Sequence, residues 1–454
     1  MSYLTHTDED RATMLREIGV ASVEDLFAAI PPELRTAVLD LPPGLSESDV
    51  AERVSALAGR NRIWGSHSFL GAGSYHHYVP AAVRALSGRS EFATSYTPYQ
   101  AEVSQGTLQH IFEFQTTISE LTGLPVANAS MYDAASALAE GASLAARHTS
   151  RDGIVVSAGV HPEAREVVRT YASGPGLPVV ELPLDPSSGR TSVPDAGHLQ
   201  DAAALLVQQP NFFGVIEDLE PLAAVAHAAG ALLVVSQNLL SAGLLAPPGQ
   251  AGADVAVGDV QPFGTPPNYG GPSAGFMACG SAFLRQLPGR LVGETLDADG
   301  RQCFTLTMQA REQHIRRAKA TSNICSNQAL VALAATIHLA LLGPRGLHDL
   351  GATCLARAHY LQERLVELPG VEPAYDGPFF NEFAISIPMG ADAFSEALRS
   401  RGVDPGVPLG RFDSAWSHVL LVAVTDVNAP SGLDAYVEAA ADVLAPAGGA
   451  THGR

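Results

Sequence analysis

Apolar positions along this chain follow two regimes. Between residues 61 and 310, short and continuously apolar runs at 153–157 (GIVVS), 177–182 (LPVVEL), 203–208 (AALLVQ), 231–236 (ALLVVS) and 253–257 (ADVAV) alternate with helix-like stretches such as 162–172 and 219–229. A strand that is apolar at every position is buried on both faces, and helices between strands return the chain in the same direction. The pattern predicts a parallel or mixed sheet, doubly wound by right-handed crossovers, with ligands at the carboxyl ends of its strands. After about residue 320 the pattern changes to a long helix at 327–342, stopped by Gly343-Pro344, and a second helix near 347–367. Strands at 382–387 and 418–424 and a last helix at 432–444 follow. Ahead of both regimes, 22–27 and 46–57 each begin with a serine followed by acid, as helix N-termini do, and Pro31-Pro32 and Pro42-Pro43-Gly44 part them. The expected organisation is an N-terminal helical arm (1–62), a large α/β domain (63–320) and a smaller C-terminal α+β domain (321–454).

Composition narrows the class. With 46% hydrophobic and 16% charged residues, the chain reads as globular and rich in buried surface, which also fits burial against a partner. A net charge of −20 repels phosphates and argues against a nucleic-acid partner. Cys279, Cys303, Cys325 and Cys354 form no CxxC pair, so neither a structural zinc site nor a disulfide framework is expected. The polar, acidic start MSYLTHTDED is neither a signal nor a transit peptide. The apolar run at 330–342 is too short to span a bilayer and is interrupted by His338. These features predict a cytoplasmic protein with no membrane association. Of 27 basic side chains only Lys319 is a lysine.

Three short motifs carry candidate chemistry. Gly271-Pro272-Ser273-Ala274-Gly275 fits the G-x-S-x-G pattern of a hydrolase nucleophile, but it precedes a strand-like run where that elbow needs a helix, so a glycine-rich turn is the better reading. His76 and His77 are adjacent and point to different sides of any regular element, which argues against a shared metal and leaves one of them free to line a cleft. Thr97-Pro98-Tyr99-Gln100 reads as a capping box with proline at the first helical position, opening a helix that Gly123 closes. Capping does not account for Tyr96 and Tyr99. Two phenols beside a helix N-terminus suit a carboxylate or phosphate, although core tyrosines fit the pattern as well.

Four segments together resemble the N-terminal half of the glycine cleavage system P-protein, a glycine dehydrogenase (decarboxylating) that some bacteria split into two chains. They are 69–80 (FLGAGSYHHYVP), 94–106 (TSYTPYQAEVSQG), 128–133 (NASMYD) and 315–327 (IRRAKATSNICSN). The resemblance covers nearly the whole chain. It implies an α/β fold of the pyridoxal 5′-phosphate (PLP) fold type I class and a partner chain of the same fold, subunit 2, which carries PLP. It further implies that the pair decarboxylates glycine and passes the aminomethyl group to the lipoyl arm of the H-protein, with T-protein and L-protein completing the system. In the subunit 2 pattern a lysine anchors PLP and an aspartate pairs with the pyridine nitrogen. Laid over this chain without gaps, the aspartate falls on Val235 and the lysine on Gln261 or Pro262, so this chain is expected to anchor no cofactor and to hold no metal. In PLP folds, a turn of small residues at a helix N-terminus holds the phosphate. Here Asp133 is expected in the first turn of the helix after Ala129–Met131, where it repels that phosphate. Lys319 is expected in a cationic cluster with Arg311, Arg316 and Arg317. Tyr96, Tyr99, Gln100, His76 and His77 are the residues expected to reach the partner's site. The alternative is a self-sufficient fold type I PLP enzyme, a desulfurase or aminotransferase, using Lys319.

Overall fold

The computed structural model describes residues 5–35, 40–93, 96–268 and 271–445. The chain forms two compact units, Met1–Ile63 and Trp64–Arg454. The first is helical. Thr7 and Asp10 close a capping box at the start of Asp8–Ile18, and Gly19 ends that helix at φ 85°, where a residue without Cβ is unstrained. Ser22 caps a 3-10 turn, Val23–Phe27, and Ser46 caps the helix Glu47–Ala58, so both serine signals mark starts.

The second unit is built on a sheet of seven strands. They are β1 (Val126–Ala127), β2 (Gly153–Ser157), β3 (Val179–Leu182), β4 (Ala202–Gln209), β5 (Leu232–Asn238), β6 (Val255–Asp259) and β7 (Gly275–Cys279). Their order is β1-β7-β6-β5-β4-β2-β3. Pairs from β3 to β6 are parallel, while β7 runs antiparallel to β6 and β1. Alternation along each strand divides the core. Ala204, Leu206, Val234, Val255 and Val257 pack with Leu138, Ala142 and Leu144 of the helix Ala134–Thr149, whereas Leu205, Val207, Leu233 and Val235 pack with Leu222 and Ala226 of Leu219–Ala228. Both faces are covered, as continuously apolar strands require. The 271–275 motif turns into β7 and forms no strand-to-helix elbow.

A hairpin, β8 (Leu291–Leu296) and β9 (Gln302–Thr307), follows. The helix Ala329–Val366 is broken at Gly343 (φ 60°, ψ −178°), where the sequence places Gly-Pro. It leads into an antiparallel sheet ordered β10-β11-β13-β12, of Glu372–Pro373, Glu382–Ser386, Val407–Pro408 and Val419–Ala423 numbered along the chain. The last helix is Pro430–Leu444.

One helix start differs from expectation. No helix begins at Pro98. Gln100 precedes a short 3-10 turn, Ala101–Val103, and the α-helix is Gln105–Thr122. Tertiary contacts override the capping signal. The Gln105 amide donates to Ala101 O and Phe304 O, and accepts from Phe304 N, which ties the first helical residue to β9. Gly123 ends this helix at φ 67°, as the sequence predicts.

Candidate functional site: a cleft at the strand ends

A cleft of about 260 Å³ opens at the carboxyl ends of β4, β5 and β6. Gln208, Ser236, Gln237, Asn238 and Asp259 form its floor. Asp133–Ala135 and His161–Ala164 bring two helix N-termini to its walls, and Gly73, Tyr75 and Pro262 close it. This is where a doubly wound sheet places its ligand.

The cleft does not fit PLP. A Schiff base needs a lysine amine, and the residue at the expected position is Pro262, which lines the cleft without a donor. Its neighbour Gln261 is fully engaged: its amide donates to Tyr75 O (2.9 Å) and Thr265 O (2.8 Å) and accepts from Tyr75 N (2.9 Å). Lys319 is exposed in a 3-10 turn, Arg317–Lys319, and is not among the lining residues. Of the cations expected around it, Arg311 is buried and donates to Met308 O and Gly289 O, while Arg316 and Arg317 are exposed as Lys319 is. Asp133 is the N-cap itself rather than a first-turn residue. Its Oδ1 accepts from Ser136 N at 2.7 Å, so a carboxylate already occupies the place where a helix N-terminus would receive a phosphate.

The gap-free placement puts the partner's aspartate on Val235, which is not among the residues lining the cleft. Val235 faces the core beneath Leu219–Ala228, away from the cleft, because a shift of one residue on a strand turns a side chain to the other face. Ser236 and Asn238 of β5 line the cleft instead, and neither is an acid. The acid that does line it, Asp259 at the end of β6, escaped sequence reasoning. Burial pushes its carboxyl up, and the Asp133 charge adds to that shift, against hydrogen bonds from the Ser273 hydroxyl and Gln261 N (2.8 Å). His161 is held neutral by burial. Its Nδ1 accepts from Glu163 N (3.1 Å), so Nε2–H donates to Ala72 O (3.1 Å).

The five residues expected at the partner's site fall into two groups that do not line this cleft. Tyr96 and Tyr99 are 86% and 58% exposed, and Gln100 is exposed beside them. Tyr99 is anchored from below by buried Arg290. The guanidinium lies 5.5 Å from the ring centroid and donates to the phenol oxygen at 3.3 Å and to Asn327 Oδ1 at 3.3 Å. The second group lies at 76–77. His76 is half-buried, and its carbonyl accepts from Thr425 Oγ1 (2.6 Å). His77, expected to reach the partner's site, is 4% exposed, with Nδ1 at 2.7 Å from Asp426 Oδ1. The Asp426 carboxylate draws it inward. His77, Asp426 and Cys354 place one potential ligand atom each within 4.8 Å of one another. The Cys354 thiol is pushed up to about 12 by burial, so it is a protonated, poor ligand at neutral pH.

Comparisons with known proteins agree with this geometry. The family model described as glycine cleavage system P-protein matches residues 1–438. The probable glycine dehydrogenase (decarboxylating) subunit 1 of Exiguobacterium sibiricum is 49% identical over 453 residues, 99% of each chain. A crystal structure of glycine decarboxylase (P-protein) of the glycine cleavage system, in inhibitor-bound form, is 49% identical with a TM-score of 0.91, covering 98% of this chain and 100% of that one. A sphingosine-1-phosphate lyase of Burkholderia pseudomallei, 18% identical, matches with a TM-score of 0.62 over 92% of this chain and 94% of that one, a likeness of fold alone. The strand order, the cleft at the strand ends and these matches give an α/β fold of the PLP-dependent, fold type I class. With a match from the first residue to 438, the chain belongs to the glycine cleavage system P-protein family.

Proposed function

We propose that this chain is the subunit of a bacterial, cytoplasmic glycine decarboxylase that does not anchor the cofactor, working with a PLP-bearing subunit 2. The observation that carries this reading is the cleft itself: it lies where the fold holds PLP, yet it presents Pro262 and a capped helix N-terminus. PLP on the partner supplies the electron sink for loss of CO2 from glycine. The aminomethyl group then passes to lipoylated H-protein, with T-protein and L-protein acting downstream.

The chain's own contribution is binding and orientation. Tyr96, Tyr99 and Gln100 form an exposed polar-aromatic edge, with Val103 also exposed, of the kind that protein interfaces cover. From there the phenols would orient the glycine carboxylate or hold a proton for transfer. His76 belongs to the second group, in which buried His77 positions its segment through Asp426. On the helix Glu47–Ala58, Val50, Val54 and Leu57 are exposed on one face, an apolar stripe that suits partner burial.

Mixing the purified chain with subunit 2 tests the reading. Glycine–CO2 exchange should require both chains, and the visible absorbance of bound PLP should travel with subunit 2. Absorbance that survives dialysis of this chain alone, and vanishes in Lys319→Ala, would support the self-sufficient enzyme instead.

A further inference from the structure

His77 is only half satisfied. Asp426 Oδ1 lies 2.7 Å from its Nδ1, which makes Nδ1 the donor and leaves Nε2 a bare lone pair. That Nε2 is buried without a hydrogen-bond partner, in a residue 4% exposed. A buried acceptor left unmatched is costly and calls for a donor or a cation. A second imidazole shares the neighbourhood. His338 is also buried with its Nδ1 unpartnered, burial pushes it down to about 4, and the charges of His77 and Asp426 act on it. Two other ligand types meet His77 here. One nitrogen of His77, the Cys354 Sγ and one carboxylate oxygen of Asp426 lie within 4.8 Å of one another. Cys354 is fully buried in the helix Ala329–Val366, beyond its break, and Asp426 follows β13.

We propose that His77, Cys354 and Asp426 form a structural site for one Zn2+ ion. Thiolate, imidazole and carboxylate together are ligands that zinc takes, at about 2.0–2.3 Å each. Tetrahedral ligation sets such atoms roughly 3.3–3.8 Å apart, so the group closes by no more than about 1.5 Å. The metal-free thiol keeps its proton, and in that form it is a weak ligand. A bound cation displaces the proton to solvent and takes the thiolate. Thiolate and carboxylate then match the divalent charge inside the fold. His338 or a water takes the fourth position. Only one of the two adjacent histidines is used, so their opposite directions are no obstacle. No ligand spacing in the sequence announces the site, because its three residues meet only in the fold. The ion would tie the second half of the long helix to the segment at 69–80 and to the loop after β13. This inference concerns the chain alone and does not rest on the subunit role.

Titration of the full-length chain with Co2+, after stripping with a chelator, tests it. The expected result is one Co2+ per chain, with the visible bands of a tetrahedral ion and a near-ultraviolet thiolate-to-cobalt charge-transfer band, both lost on adding Zn2+. Cys354→Ser should remove the charge-transfer band, and His77→Gln and Asp426→Asn should each weaken cobalt binding at least tenfold. Cys325→Ser, at an exposed cysteine, should leave the band unchanged. If the buried variants fail to fold, the wild-type chain still decides: native mass spectrometry should count one Zn2+, and Zn2+ should raise the melting midpoint. The chain carries a net charge of −20, so diffuse binding to surface carboxylates is the competing outcome. Cobalt binding that does not saturate, a wild-type chain with no charge-transfer band, or a band that survives Cys354→Ser overturns the proposal.

Discussion

The Tyr75 hydroxyl donates to Glu382 Oε2 at 2.9 Å, joining residues 307 apart in sequence. Glu382 Oε1 accepts from Ala72 N at 2.7 Å, so one buried carboxyl holds the glycine-rich segment against β11. Gln261 holds the backbone of the same Tyr75 against the loop after β6. Tyr75 is therefore where the seven-stranded sheet, the four-stranded sheet and the cleft wall meet, and its geometry depends on a fully buried acid.

That acid makes stability depend on pH. Burial pushes Glu382 from 4.5 up to about 7, although Ala72 and Tyr75 donate to it. Its folded pKa lies above its unfolded one, so the folded state binds the extra proton between them. The contribution is complete below about 4.5 and is lost as pH rises through about 7. At roughly 1.4 kcal/mol per pKa unit the total is about 3 kcal/mol. Glu140, Glu217 and Asp259, also raised by burial, slope the same way. Glu382→Gln should flatten its share of the decline in denaturant-derived stability between about pH 5 and pH 8. Parallel slopes for variant and wild type would refute the assignment.

Gly71 is fixed by the same carboxyl. A Cβ there would lie 2.2 Å from Glu382 Oε1 and 2.5 Å from the Ala423 Cβ. Gly71→Ala should cost about 1–3 kcal/mol through overpacking. Gly106, inside the helix Gln105–Thr122, has open space at its Cβ position, and Gly106→Ala should be neutral or stabilise by up to about 1 kcal/mol. Denaturant unfolding of the two variants checks the contrast, and an equal response in both would show that the close approach is not what matters.

Tyr99→Phe keeps the ring over Arg290 but removes the 3.3 Å hydrogen bond. The residue is exposed, so stability should change by less than about 1 kcal/mol. If the phenol reaches the partner's site, glycine decarboxylation by the assembled subunits should fall about tenfold or more, as loss of a proton-transfer or orienting group does. The same assay on Tyr96→Phe separates the two phenols, and wild-type rates in both would remove this segment from the chemistry.

Local and repetitive signals were legible in the sequence. Strands β2, β4, β5 and β6 match their apolar runs to within two residues, because continuous burial leaves few other arrangements. Helix ends with a serine or glycine signal match for the same local reason. Signals that depend on distant partners were not legible. Thr97-Pro98 lost its capping role to Gln105, whose amide pairs with β9 about 200 residues away, at Phe304. Glu382 carried no motif, and its importance arises from Tyr75 and Ala72 across the fold. His77 looked available for a cleft, yet Asp426 captures it from far along the chain. Around the expected lysine, Pro262 does line the cleft, whereas Val235 of β5 faces the core, because neighbouring residues on a strand point to opposite faces.

Asp133 separates the two roles that the cleft wall combines. As N-cap of Ala134–Thr149 it accepts from Ser136 N at 2.7 Å and places its charge at the positive end of the helix. Asp133→Ala leaves that N–H without its side-chain acceptor and should cost about 1 kcal/mol. Asp133→Asn retains the cap and should lose only the charge term, a few tenths of a kcal/mol up to about 1. Thermal unfolding of the two variants at neutral pH should therefore rank wild type first, Asn close behind and Ala lowest. If Ala and Asn fall together, charge rather than capping holds the helix start, and the carboxylate is then kept at this position by the dipole alone.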